Sequence, residues 1–174
     1  MRRSGLLGLV LLASVLAGCS AFDREPPPPC PLAFPVPDAR ALTRFTGQGR
    51  DLTDVLFEAR LEDVVLICDY DDDVIEADMR LRILVVDGPA DRERVAKLTY
   101  FVAIATRDHK IVAREEFDLE VPFEGNRTRV LAVEEVSPRI PLRPGQSGVD
   151  YIVYAGLALS PAELRYNREN RLPR

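Results

Sequence analysis

The chain of 174 residues contains no tryptophan, one histidine and two methionines, and each scarcity closes a route. A single imidazole, His109, cannot provide the histidine pairs common in zinc sites, and the three cysteines form no CxxC. No phosphate-cradling glycine loop and no internal repeat is present. The apolar run Leu6 to Leu16 falls short of the roughly 20 residues a spanning helix needs. Long stretches of helical periodicity are also missing, which turns attention to strands.

What the first residues do contain is a secretory pattern. Arg2 and Arg3 precede the apolar run, and Leu16, Ala17, Gly18 and Cys19 follow it. A basic start, a short apolar stretch and a small-residue cut site make a signal peptide over residues 1–18. Leu16–Cys19 resembles the bacterial lipobox, in which the cysteine thiol is acylated and the chain is cut before it. Cys19 is then the lipidation site and the membrane a partner, because several acyl chains hold far better than one. An ordinary signal peptide with a cysteine near its cut is the alternative. Ser20 stands where an Asp would favour inner-membrane retention, so the expected address is the outer membrane, with the domain in the periplasm.

Removing residues 1–18 takes away two arginines and leaves 21 basic against 28 acidic residues, a net of −7 (21 − 28). Nucleic acid is an unsuitable partner for such a chain, because phosphate contacts need clustered Lys and Arg. A hydrophobic fraction of 47% supports a packed core. In an oxidising compartment Cys30 and Cys68 read as a disulfide pair; two free thiols, with Cys68 buried in a strand, are the alternative.

Ser20–Pro29 reads SAFDREPPPP, and Pro31, Pro35 and Pro37 follow. Consecutive prolines impose an extended chain of about 3.1 Å per residue, so residues 19–37 read as a lipid-anchored tether and 38–174 as one domain. Asp38 is a candidate N-cap for one or two helical turns. Beyond it the pattern has period two. Ile75, Ala77, Met79, Leu81, Ile83 and Val85 share one face, and Glu76, Asp78, Arg80 and Arg82 the other. A half-buried strand segregates residues in this way. Strands are also expected over 55–61, 64–70, 98–106, 111–121, 129–136 and 151–159. The spacing predicts an all-β fold, an antiparallel β-sandwich of immunoglobulin-like type with a barrel as runner-up. Ser160, Pro161 and Glu163 form the start of a short C-terminal helix, expected over 161–170.

Sites for chemistry are few. Asp69, Asp71 and Asp73 begin like a calcium loop, but Val74 stands where glycine is needed and Arg80 where a glutamate would close the site. An acidic hairpin turn is the simpler reading. The stretch GQSGV lacks the spacing of a nucleophile elbow, and His109 reads as a solvated turn residue. The sequence therefore suggests no catalytic residues, no metal and no cofactor. Arg165, Arg168 and Arg171 form a basic C-terminal stretch that could dock an acidic partner; the alternative is that they complement the helix dipole.

Two stretches carry a resemblance: CPLAFPVPDARALTRFTGQGRDLTDVLFEARLEDVVLICDYD and YIVYAGLALSPAELRYNR. With the lipobox, they resemble a group of uncharacterised envelope lipoproteins of alphaproteobacteria. The resemblance implies an exported, lipid-anchored protein. It implies no activity, and it assigns no role to Cys30, Cys68 or Asn167. The expected function is a non-catalytic interaction domain that docks another envelope protein through an exposed sheet edge or the basic tail. A small-ligand binder or carboxylate-dependent enzyme using the Asp69–Asp73 region is the alternative.

Overall fold

The strictest alternation in the sequence, around Ile75–Val85, lies at the centre of the molecule. The computed structural model describes residues 28–170. Residues 1–18, Cys19, the tether before Pro28, Arg171 and Arg174 lie outside the described residues. The strands are β1 (Leu32–Pro35), β2 (Ala41–Phe45), β3 (Val55–Asp71), β4 (Val74–Asp87), β5 (Val95–Thr106), β6 (Ile111–Pro122), β7 (Arg129–Val136), β8 (Arg139–Pro141) and β9 (Tyr151–Leu157), followed by helix α1 (Pro161–Glu169). One sheet has the order β1–β9–β5–β6 and the other β2–β3–β4–β7, with β8 beside β4. Only the β1–β9 pairing is parallel. The fold is an all-β sandwich with a short C-terminal helix. Its core is the facing apolar rows of the two sheets, with Leu42, Leu61, Leu81, Ile83, Val153 and Leu157 almost wholly buried.

The strands expected at 55–61 and 64–70 are one strand of 17 residues. Val55, Phe57, Ala59 and Leu61 point inward, and then the parity changes to Val64, Leu66, Cys68 and Tyr70. The register jumps between Leu61 and Asp63, so Glu62 is the extra residue of a β-bulge. Such a bulge leaves backbone groups unpaired. Arg40 takes them up: its Nε donates to Leu61 O and its Nη2 to Glu62 O, both at 2.9 Å.

Three strands were not expected from the sequence. β1 lies inside the proline-rich segment and pairs with β9 from Leu32↔Ile152 to Pro35↔Ala155. Proline is tolerated here because β1 is an edge strand. The domain thus begins by about residue 30, and the tether boundary expected at Pro37 moves back accordingly. Asp38 does not cap a helix; it sits inside a single 3-10 turn, Pro37–Ala39, and the chain then enters β2. β8 is only three residues long. By contrast, α1 starts as expected. Ser160 Oγ accepts from Glu163 N–H at 3.3 Å, and Glu163 Oε2 accepts from Ser160 N–H at 2.7 Å.

On one flank the outer strands are β1 and β2, and both are covered or pinned. Cys30 and Cys68 form a disulfide that ties the chain two residues ahead of β1 to β3. Beside it, Tyr70 OH donates to Pro29 O at 2.7 Å and accepts from Gly148 N–H at 2.6 Å. A Cβ on Gly148 would lie 2.2 Å from Pro29 O, so only glycine fits this crossing. Helix α1 packs on β2. Arg44 pairs with Glu163 at 2.9 Å, and the Tyr166 ring meets Phe45 edge-on at 5.1 Å. Asn167 Nδ2 donates to Asp38 O and Ala41 O at 3.0 and 2.6 Å.

Candidate functional site

The opposite flank is open. Among the described residues β6 hydrogen-bonds to β5 alone and β7 to β4 alone, and none of these residues forms an element that covers the two sheet ends there. Between these edges runs a groove of about 810 Å³. Its apolar floor comes from Tyr100, Val102, Ile104 and Phe117, and the Tyr100 and Phe117 rings stack at 5.1 Å.

Carboxylates line this floor because of two dipeptides. Neighbouring residues on a strand point to opposite faces, so each of Glu115–Glu116 on β6 and Glu134–Glu135 on β7 must turn one glutamate inward. Glu115 shares the inner face with Phe117 and Leu119, and Glu134 with Ala132 and Val136. Glu134 Oε2 accepts a hydrogen bond from Tyr100 OH at 3.1 Å. Burial raises the Tyr100 pKa well above the ordinary tyrosine value, and the Glu134 charge and its hydrogen bond push the same way. Tyr100 therefore stays a neutral donor. The outward glutamates pair with arginines: Arg80 Nη2 with Glu135 at 2.8 Å, Arg114 Nη2 with Glu116 at 2.6 Å.

Arg94 fixes the crossover that carries the chain from β6 to β7. Its backbone adopts a left-handed φ of 60°. Its Nη2 donates to Phe123 O, Gly125 O and Arg127 O at 3.0, 3.0 and 2.9 Å. Its Nη1 meets Asp87 Oδ2 at 2.5 Å, and the Asp87 side chain is buried. Burial raises the Asp87 pKa, although Arg94 pulls it down.

The residues singled out from sequence fall elsewhere. Cys30 and Cys68 are brought together as a disulfide. Arg165 is exposed on α1, whereas Arg168 Nε pairs with Asp38 Oδ2 at 3.0 Å and so helps hold the helix to the body. Cys19 and Arg171 lie outside the described residues. Asp69, Asp71, Asp72 and Asp73 are exposed around the β3–β4 turn, where Asp71 Oδ1 accepts from Asp72 N–H at 2.9 Å. Among the described residues no three His, Cys, Asp or Glu side chains converge as metal ligands would. His109 takes a left-handed φ of 63° at the β5–β6 turn, and its Nδ1 is 2.7 Å from Tyr154 OH. The groove glutamates were not read as a site, although paired glutamates inside two expected strands were a visible signal.

No family model and no curated protein matches the chain. Among solved structures it is similar to the variable (V) domain of the Streptococcus agalactiae AgI/II polypeptide BspA, at 7% identity over 70% of this chain and 73% of that one. The TM-score of that likeness is 0.17, too low to carry an argument.

Proposed function

We propose that this is an outer-membrane lipoprotein, anchored through Cys19, whose periplasmic domain docks another envelope protein without catalysing a reaction. One observation carries this reading: among the described residues the sandwich has a flank pinned by a disulfide and packed by a helix, and a flank where two strand edges and a groove stay open. An open edge is a liability for a protein with no use for it. Attachment to a membrane confines the domain to a layer and raises its effective concentration near other membrane proteins.

Photo-crosslinking in intact cells tests this, with probes at Glu116 on the open flank, Arg165 on α1 and Pro26 in the tether. A dominant protein adduct from Glu116 alone supports the reading. An adduct from Arg165 instead moves docking to the basic tail, and none from either position sinks it. Palmitate labelling that survives Cys19→Ala would overturn the anchor. A small-ligand site is the second reading, and the half-buried Glu134 beside Tyr100 favours the groove over the exposed Asp69–Asp73 turn for it. Metabolite-dependent shifts in Tm, abolished by Tyr100→Phe, would support that alternative.

A further inference from the structure

Resting on the docking reading above, we propose that β6 accepts an extended segment of a partner protein as an added strand. The segment carries Lys or Arg at alternate positions, with apolar residues between them.

Backbone parity defines the acceptor. Phe123 N–H donates to Arg94 O at 2.8 Å, so Phe123 turns its hydrogen-bonding groups toward the β5 side. Antiparallel pairs alternate between bonded and non-bonded. Val121, Leu119, Phe117 and Glu115 therefore also bond to β5, through Ala96, Leu98, Tyr100 and Val102. The partner strand agrees: Thr99 O accepts from Ala158 N–H at 2.8 Å, so the Thr99 backbone groups turn away from β6, while its Oγ1 donates to Asp118 Oδ1 at 2.8 Å. Arg114, Glu116, Asp118 and Glu120 then present their N–H and C=O groups to the open side. Pro122, next in that series, has no N–H to present and so ends the row of donors. The result is an unpaired stretch of seven residues, from 114 to 120, suited to strand addition.

Charge selects the occupant. Over Arg114–Glu120 the strand carries four carboxylates, Glu115, Glu116, Asp118 and Glu120, against one arginine. Side chains directly opposite on paired strands lie about 4.5–5.5 Å apart, where like charges repel. A second copy pairing antiparallel over residues 114–120 would set Glu116 against Asp118 as often as Arg114 against Glu120, so charge gives self-pairing no net attraction. A strand with Lys or Arg facing Glu116, Asp118 and Glu120 is attracted instead. Its alternate side chains turn into the groove over Phe117 and Tyr100, where apolar residues are accommodated.

The test uses the whole mature protein and three blocked nine-residue peptides: alternating Lys–Val, alternating Glu–Val, and Lys–Val with every second amide N-methylated. The readouts are fluorescence anisotropy and amide hydrogen exchange. Lys–Val is expected to bind, to protect the Glu116, Asp118 and Glu120 amides, and to weaken as salt rises. Glu116→Pro removes an N–H that β5 does not use. It should cut binding at least about tenfold while the Phe117 amide stays protected. Should the proline disturb folding, the triple variant E116K/D118K/E120K should transfer preference to Glu–Val. Equal binding of the methylated peptide, binding that survives Glu116→Pro, or no binding of Lys–Val overturns strand addition. A Glu116 crosslink in cells without peptide binding would leave docking standing and remove only this mode of it.

Discussion

The two flanks of the sandwich solve the same problem in opposite ways. Every open sheet ends in unpaired backbone groups that invite other strands. On the β1–β2 flank β2 is packed by helix α1, and the chain before β1 is pinned by the Cys30–Cys68 disulfide and the Tyr70 hydrogen bond to Pro29. On the β6–β7 flank the ends stay uncovered and carry charge, including the inward-facing Glu115 and Glu134. Covering an edge closes it to every partner, whereas charging it closes it to some and leaves it available to others. On the docking proposal, stability and recognition lie on different sides of one small domain.

If that division holds, substitutions on the covered flank should change stability, and those on the open flank should change binding. The largest effect is expected from Cys68→Ser. Its loop of 38 residues corresponds to about 4 kcal/mol in the chain-entropy estimate, to be measured by urea unfolding, with peptide binding at Glu116 unchanged. Arg94→Met strands Asp87 and frees the β6–β7 crossover, at a cost of about 1–3 kcal/mol near neutral pH. With the guanidinium gone, the already raised Asp87 pKa climbs further. A carboxyl with a raised folded pKa binds its proton more readily in the folded state, so this loss should shrink as the pH falls toward about 4. A pH-independent loss would show that Asp87 is not its source.

Asn167→Ala removes two hydrogen bonds that hold α1 to the chain before β2, an expected loss of about 1–2 kcal/mol seen as faster exchange in the helix. The smallest stability effect belongs to Glu116→Gln, within about 0.5 kcal/mol, yet this variant should weaken Lys–Val binding. Tyr100 sharpens the comparison at high pH. Its raised pKa contributes stability that is complete below the ordinary tyrosine value of about 10 and is lost as the pH climbs beyond it. In an alkaline absorbance titration Tyr100 should therefore ionise above the ordinary tyrosine value, a late step that Tyr100→Phe removes. Early ionisation would mean that the groove floor is wetter than its burial indicates.

Local pattern made half of this architecture readable. Residues 75–85 alternate cleanly because β4 has one buried face, and Ser160–Glu163 announces α1 because a capping box is entirely local. β1 was hidden because Pro31, Pro35 and Pro37 read as spacer, and only its partner β9, more than a hundred residues later, makes it a strand. The bulge at Glu62 split one strand into two apparent ones, since a change of parity looks like a boundary. The disulfide was legible from cysteine arithmetic. The groove was not, because no local pattern says that β6 and β7 end their sheets on the same side, although Glu115–Glu116 and Glu134–Glu135 were already out of step with a fully buried inner face.

The Cys30–Cys68 bond also decides how the domain meets a mechanical load. β1 is four residues long and would peel from β9 one hydrogen bond at a time if the chain ahead of it were pulled. The covalent link lets the pull bypass that weak pairing, because force arriving at Cys30 passes directly to Cys68, near the turn end of the 17-residue β3. There it is shared along the β3–β4 ladder, which pairs from Phe57↔Asp87 to Asp71↔Val74. Tension reaching Cys30 is thus received by the β3–β4 hairpin rather than by the short β1–β9 pairing.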